Sequence, residues 1–426
     1  MKYAFINGVI LDGTENMMAA ENMMLLVDGD RITEIAPFTG KAPKGYKKID
    51  LKGKYLLPGL INMHCHMPGS GKPTSSSTAN NIADLANRFG IVRAIARRRV
   101  KKAAKTVVNS GVTTLRSMGE VAYTDLEVRD LINKGKLEGP RMLVSGTGVS
   151  VPGGHAAGLF AYPAQSVEDV ERVIEENVKR GVDLIKIFVT GGVFDATVPG
   201  EPGVLRMSQE LANACCEIAH KHGLKVASHT ESTPGVLVDM LAGVDTVEHG
   251  AVLTDEIIEL FKKNGSSVTM TISPAIPIAR LDPKLTKMDE IRQLNSNVVF
   301  EGIVECAKQA LANGIPVGLG TDTACPYVTH YDMWREVCYF EKHVGVSRNF
   351  ALHTATQINA QLLGLGDVTG TLEAGKSADL IAVEGNPLDD LSVLRNVSMV
   401  MARGRLISKP KFKRLKFVDR ELDALI

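Results

Sequence analysis

Two histidines one residue apart, His64 and His66, follow the apolar run Leu56-Leu57-Pro58-Gly59-Leu60-Ile61-Asn62-Met63. If the run is a short buried strand, residues i and i+2 share a face, and both imidazoles point together at the strand's C-terminal end. Neutral imidazole is the commonest protein ligand for zinc and similar ions. A lone His-x-His is more often structural than ligating, so its meaning depends on where Lys186, His229, His249 and Asp322 fall.

From Leu57 onward an apolar run and a helix-period stretch alternate. After the first run come Gly111 to Arg116, Arg141 to Ser145, Leu184 to Val189, Leu224 to His229, Thr246 to His249, Ser267 to Thr271 and Pro316 to Asp322, eight in all. Helical segments such as Val167 to Arg180, Ser208 to His222 and Val298 to Asn313 lie between them. This rhythm predicts an α/β chain folded as a (β/α)8 TIM barrel. Lys186 then lies in the fourth strand, while His229, His249 and Asp322 close the fifth, sixth and eighth. With His64 and His66, six ligand-type residues gather on five strands, at the face where barrels keep their active sites.

Both chain ends read as β. Short strands are expected at Tyr3 to Ile6, Val9 to Leu11, Met24 to Val27, Arg31 to Ile35, Lys47 to Leu51 and Lys54 to Leu57, with a turn at Asp28-Gly29-Asp30. Beyond a helix at Phe350 to Leu363, β patterning returns in Leu380 to Val383, Val397 to Met401 and Arg405 to Ile407. Neither end is long enough to stand alone. The economical arrangement is one small β-sandwich built from residues 1–56 and 366–426 beside a barrel of residues 57–365. Ser408 to Ile426 reads as a solvated tail or a short helix.

Over 426 residues, 49 lysines and arginines nearly cancel 48 aspartates and glutamates. No overall field draws the chain to nucleic acid or to an anionic membrane. No run approaches the roughly 20 apolar residues of a spanning helix, and six scattered cysteines do not form a disulfide framework. The expectation is a cytoplasmic protein with a small-molecule substrate, no nucleic acid, no membrane and homo-oligomeric assembly.

The motifs Pro58-Gly59-Leu60-Ile61-Asn62-Met63-His64-Cys65-His66, Leu184-Ile185-Lys186-Ile187, His229, Val247-Glu248-His249-Gly250, Gly320-Thr321-Asp322 and the run Gly370 to Leu380 resemble the amidohydrolase superfamily of metal-dependent hydrolases over essentially the whole chain. Gly111 to Arg116 and Pro152-Gly153-Gly154-His155 make the chain most similar to its Xaa-Pro dipeptidase-like and arginine carboxypeptidase-like branch. It departs from that branch at Ser117, at Ala156-Ala157 and at Thr230-Glu231. The resemblance implies two divalent ions, with zinc the first candidate: one held by His64, His66 and Asp322, the other by His229 and His249. Lys186 would bridge them as a carbamate formed with carbon dioxide, since an ammonium has donors only and repels a cation. It also implies hydrolysis of a C–N amide or peptide bond in a small substrate, an Xaa-Pro or other dipeptide or an N-acyl amino acid, by a hydroxide bridging the ions. Asp322 would take the proton of the attacking water and pass it to the leaving amine.

Around that centre, His155 is the candidate for gripping the substrate carbonyl or its oxyanion. Arg116 is read either as a clamp for a substrate carboxylate or as a structural ion pair. Glu231, two positions past His229, either favours a cationic substrate or caps the helix that begins near Thr233. Tyr327, in the loop after the eighth strand, is expected to wall the pocket, and Gly69 to Ser77 to form a mobile loop beside it. An ester, lactone or organophosphate hydrolase would use the same ligands. A non-catalytic assembly protein would be expected to have lost some, and none is lost.

Overall fold

In the computed structural model, which describes residues 1–73, 85–86, 88–323 and 325–426, strands of two kinds meet. The N-terminal strands are β1 (Lys2–Ile10), β2 (Ala20–Asp28), β3 (Arg31–Pro37), β4 (Lys47–Asp50) and β5 (Tyr55–Pro58). Parallel strands follow: β6 (Leu60–Cys65), β7 (Val112–Ser117), β8 (Arg141–Val144), β9 (Gly148–Ser150), β10 (Ala161–Pro163), β11 (Leu184–Phe188), β12 (Lys225–Thr230), β13 (Thr246–His249), β14 (Ser267–Met270) and β15 (Val317–Leu319). The chain ends with β16 (Leu380–Val383), β17 (Val397–Ala402) and β18 (Arg405–Ile407). All eight expected core strands are present as β6, β7, β8 and β11 to β15. The loop expected at Gly69 to Ser77 lies outside the described residues from Thr74 on.

Parallel pairing gives one sheet in the order β6-β7-β8 and another in the order β10-β9-β11-β12-β13-β14-β15. Hydrogen bonds cross both gaps between them. Asp183 N–H reaches the Val144 carbonyl at 2.8 Å, and Thr321 and Asp322 N–H reach the His64 carbonyl at 3.2 and 2.8 Å. Helices Val167–Arg180 and Gln209–Lys221 lie where the apolar period places them, while the third, Glu290–Ala312, begins eight residues before the expected Val298. Ser166 and Ser208 accept N–H groups of the first turns, and Gly181 ends the first helix in the left-handed region. Among the described residues no helix is long and apolar enough to cross a membrane, and all six cysteines are free.

The two chain ends share one eight-stranded sheet, ordered β18-β17-β16-β5-β1-β2-β3 with β4 on β1. Its seam is the antiparallel pairing of β5 with β16, Leu57 opposite Ile381. Alternation separates its faces. Tyr3, Phe5, Leu56 and Leu380 form one cluster, whereas Leu57, Ile381 and Val400 join the large core of the parallel strands. The two expected strands at Tyr3 to Ile6 and Val9 to Leu11 are one strand, kept continuous through a register shift at left-handed Asn7 (φ 57°). The run Leu56 to His66 is two strands in different sheets. It divides at Gly59, where a Cβ would come within 2.2 Å of the Thr113 side chain.

The C-terminal segment folds back as a helix, Lys416–Asp423, and is not a free tail. Leu415, Val418, Leu422 and Leu425 pack on Leu281 and Tyr327. The buried Arg335 guanidinium meets Asp332 at 3.1 Å and Asp423 at 2.6 Å. Tyr327, expected to wall the pocket, is buried against this helix and donates its hydroxyl to the Leu285 carbonyl. Leu422→Ala should therefore cost about 2 to 5 kcal/mol, read as a lower urea midpoint; an unchanged midpoint would show the helix to be a loose appendage.

Candidate metal centre

Five of the six ligand-type residues come together at the C-terminal ends of the parallel strands, and the sixth, Lys186, lies within one of them. His64 lies in β6 with His66 just beyond it, and both Nε2 atoms approach Asp322 Oδ1, at 3.3 and 3.2 Å. Nitrogens of His64 and His249 and an oxygen of Asp322 lie within 4.8 Å of one another. Nitrogens of His229 and His249 and an oxygen of Glu231 form a second group of the same span. Lys186, in the middle of β11, is fully buried, and its amine has no hydrogen-bond partner among the described residues. Burial lowers its pKa to about 8 against the pull of Glu248 and Asp322.

The ring orientation of each histidine follows from what its other nitrogen meets. A carbonyl only accepts, so His66 Nδ1, 3.1 Å from the Gly119 carbonyl, and His229 Nε2, 3.2 Å from the Gly191 carbonyl, carry the protons. His64 Nδ1 donates to Glu248 Oε2 at 2.8 Å, and His249 Nδ1 shares a 2.6 Å hydrogen bond with the Thr271 hydroxyl. The opposite nitrogens are left to the site. Such support from carboxylate and carbonyl groups is characteristic of metal-ligating histidines. Burial lowers His66, His229 and His249 below the ordinary imidazole range, which keeps them neutral as ligands must be.

His249 (φ 68°) and Asp322 (φ 52°) both occupy the left-handed region, which non-glycine residues avoid at a cost of roughly 1–2 kcal/mol. Gly320 lets the chain pass close to His64 just before Asp322, since any Cβ there would stand 2.5 Å from that of His64. Backbone strain gathered on two ligands is a functional signature.

Arg116 points inward. It donates through Nη2 to Glu248 Oε1 at 2.6 Å, through Nη1 to Thr246 Oγ1 at 3.0 Å and through Nε to the Met63 carbonyl at 2.7 Å. Its fork is engaged by the protein, which corresponds to the structural ion pair and leaves no free edge for a substrate carboxylate. Glu248, quoted within a motif but given no role, proves central. Burial would raise its pKa, but Arg116 and His64 bring it down to about 2. His155 stacks on His229, ring centroids 4.2 Å apart and 4° from parallel. Its Nδ1 is bonded to Asp195, a second residue without a sequence-level role, and Nε2 remains available. Burial disfavours the His155 cation, but Asp195 prevails and raises its pKa. Glu231 reaches the site, and burial raises its pKa to about 8.

A buried His/Asp cluster at the ends of parallel strands, each ring oriented from behind, is a group of side chains that could hold a metal ion in an α/β enzyme. A model of the amidohydrolase family matches residues 55–407, and the chain belongs to that family. It is similar to the crystal structure of a proposed prolidase from Bifidobacterium longum, with 37% identity over 99% of this chain and 98% of that one and a TM-score of 0.87. An Xaa-Pro dipeptidase crystallised with methionine in its active site is 29% identical over 96% of this chain and all of that one, with a TM-score of 0.83. Ochratoxinase of Aspergillus niger is 25% identical over 418 residues, covering 90% of this chain and 83% of the relative.

Two variants test the support beneath the ligands. Arg116→Met strands the buried Glu248 carboxylate and should cost about 3 to 5 kcal/mol in chemical denaturation. Glu248→Gln keeps the shape but weakens the hold on His64, and should loosen metal binding about 10- to 100-fold by equilibrium dialysis; unchanged affinity would refute the orienting role.

Proposed function

We propose that this chain is a binuclear, metal-dependent amidohydrolase that cleaves the C–N bond of a small amide: an Xaa-Pro dipeptide, another dipeptide or an N-acyl amino acid. The observation that carries the reading is the set of four histidines, each with one nitrogen occupied by the protein, gathered in one cluster with Asp322 and Glu231. In this proposal the eight parallel strands of residues 57–365 close into a (β/α)8 barrel. Residues 1–56 and 366–426 fold as one sandwich domain beside it. Cytoplasmic location, homo-oligomeric assembly and independence of nucleic acid and membranes belong to the same proposal.

The residues fit two divalent ions, zinc foremost. His64, His66 and Asp322 would hold one, His229 and His249 the other, and the buried, unpartnered Lys186 amine would serve both as a carbamate. When bound, the ions supply Lewis acidity toward the scissile carbonyl and lower the pKa of water. The chain supplies the rest. His155, held through Nδ1 by Asp195, presents Nε2–H to the substrate carbonyl oxygen and stabilises the charge that develops there. Asp322 accepts the proton of the attacking water on a carboxylate oxygen and delivers it to the leaving nitrogen, which departs poorly as an anion.

A panel of dipeptides, N-acyl amino acids and matched esters, assayed with zinc or manganese and bicarbonate, tests the class. Turnover should appear on amides. Asp322→Asn should lower kcat by about 10²- to 10⁴-fold with little change in KM, because the amide can still contact the ion but cannot carry the proton. An unaltered kcat would remove Asp322 from proton transfer.

A further inference from the structure

We infer that Glu231 is a third protein ligand of the ion held by His229 and His249, so that this half of the centre has a carboxylate of its own. The inference rests on the binuclear reading above and concerns how this chain, in particular, completes its second site.

Three observations converge. A Glu231 carboxylate oxygen lies within 4.8 Å of ligand nitrogens of both His229 and His249, the span that also joins His64, His249 and Asp322. Glu231 Oε2 is buried and has no hydrogen-bond partner among the described residues, a condition that buried carboxylates rarely tolerate. Glu231 does not hold the alternative, helix-capping position, which belongs to Ser232 although its hydroxyl makes no cap hydrogen bond. Glu231 stands one residue outside the helix Thr233–Ala242 and its N-cap. The Glu231 backbone is fixed instead, its N–H donated to Thr190 Oγ1 at 3.0 Å, and a Cβ on Gly203 would come within 2.3 Å of its carbonyl. The side chain is thereby committed to the cluster.

The charges require the same partner. Two neutral imidazoles bring no negative charge to a divalent ion in a buried site, where uncompensated charge is costly. Asp322 is engaged at His64 and His66. A His-His-Glu set is a recognised ligand set for zinc and suits similar borderline divalent ions. With Glu231 in place, the second ion can bind before Lys186 has captured carbon dioxide, and the carbamate strengthens a site that already exists.

The test uses metal-free full-length protein titrated with cobalt(II) in decarbonated buffer, with bound metal measured by equilibrium dialysis and by absorption. The wild type should bind two ions per chain. Glu231→Gln should keep one and bind the second at least tenfold more weakly. Glu231→Cys should add a near-ultraviolet thiolate-to-cobalt band that the wild type lacks, a signature no structural role would produce; if the Gln variant does not fold, this band decides alone. A folded Gln variant that binds both ions as tightly as the wild type overturns the inference. So does loss of selectivity for cationic substrates with both ions retained, which would return Glu231 to substrate recognition. Wild-type protein that takes no second ion even with bicarbonate overturns the binuclear reading itself, and the ligand assignment with it.

Discussion

Beneath the ligands, the Arg116–Glu248 ion pair sets the terms for the whole site. Burying a guanidinium and a carboxylate costs several kcal/mol each, recovered only when every donor and lone pair finds a partner. Here the partners are drawn from β6, β7, β13 and β14: the Met63 carbonyl, Thr246 and Thr269 complete Arg116, while His64 takes the second oxygen of Glu248. The pair therefore ties four strands together and dictates which nitrogen of His64 faces the site. Neither partner can be removed without leaving a charge in the core.

The same economy applies to the other rings. Carbonyls of Gly119 and Gly191 and the hydroxyl of Thr271 lie on loops or strands next to the ligand they orient. The strained turns at His249 and Asp322 are held by Gly250 N–H on the Thr230 carbonyl at 3.0 Å and Asp322 N–H on the His64 carbonyl at 2.8 Å. A few short backbone contacts thus hold in place ligands that local preference would turn away.

The core strands were legible because each is an apolar run broken by a helical period, and the ligands because they stand at the ends of those runs. Glu248 escaped because strict alternation sends it and His249 to opposite faces; the left-handed backbone at His249 breaks that alternation, and nothing in residue type announces it. Arg116 was read with two outcomes because its partners lie on strands far along the chain. Tyr327 was assigned to the pocket because a loop aromatic beside Asp322 suggests a wall, whereas the helix that covers it comes from a segment with little core-forming pattern. Composition and period report that a residue is buried; they do not report against what.

The pairing of β5 with β16 has a consequence for how the protein is made. Leu57 leaves the ribosome long before Ile381, its partner across the seam. At about 5–20 residues per second, the interval is on the order of half a minute. During that time the nascent N-terminal strands present an open hydrogen-bonding edge beside Leu56 and Leu57, the kind of surface on which a second nascent chain can pair. Lys44, Lys47, Lys48, Lys52 and Lys54 are clustered in that stretch. Like charge on these lysines would oppose close approach of the same stretch in a neighbouring chain.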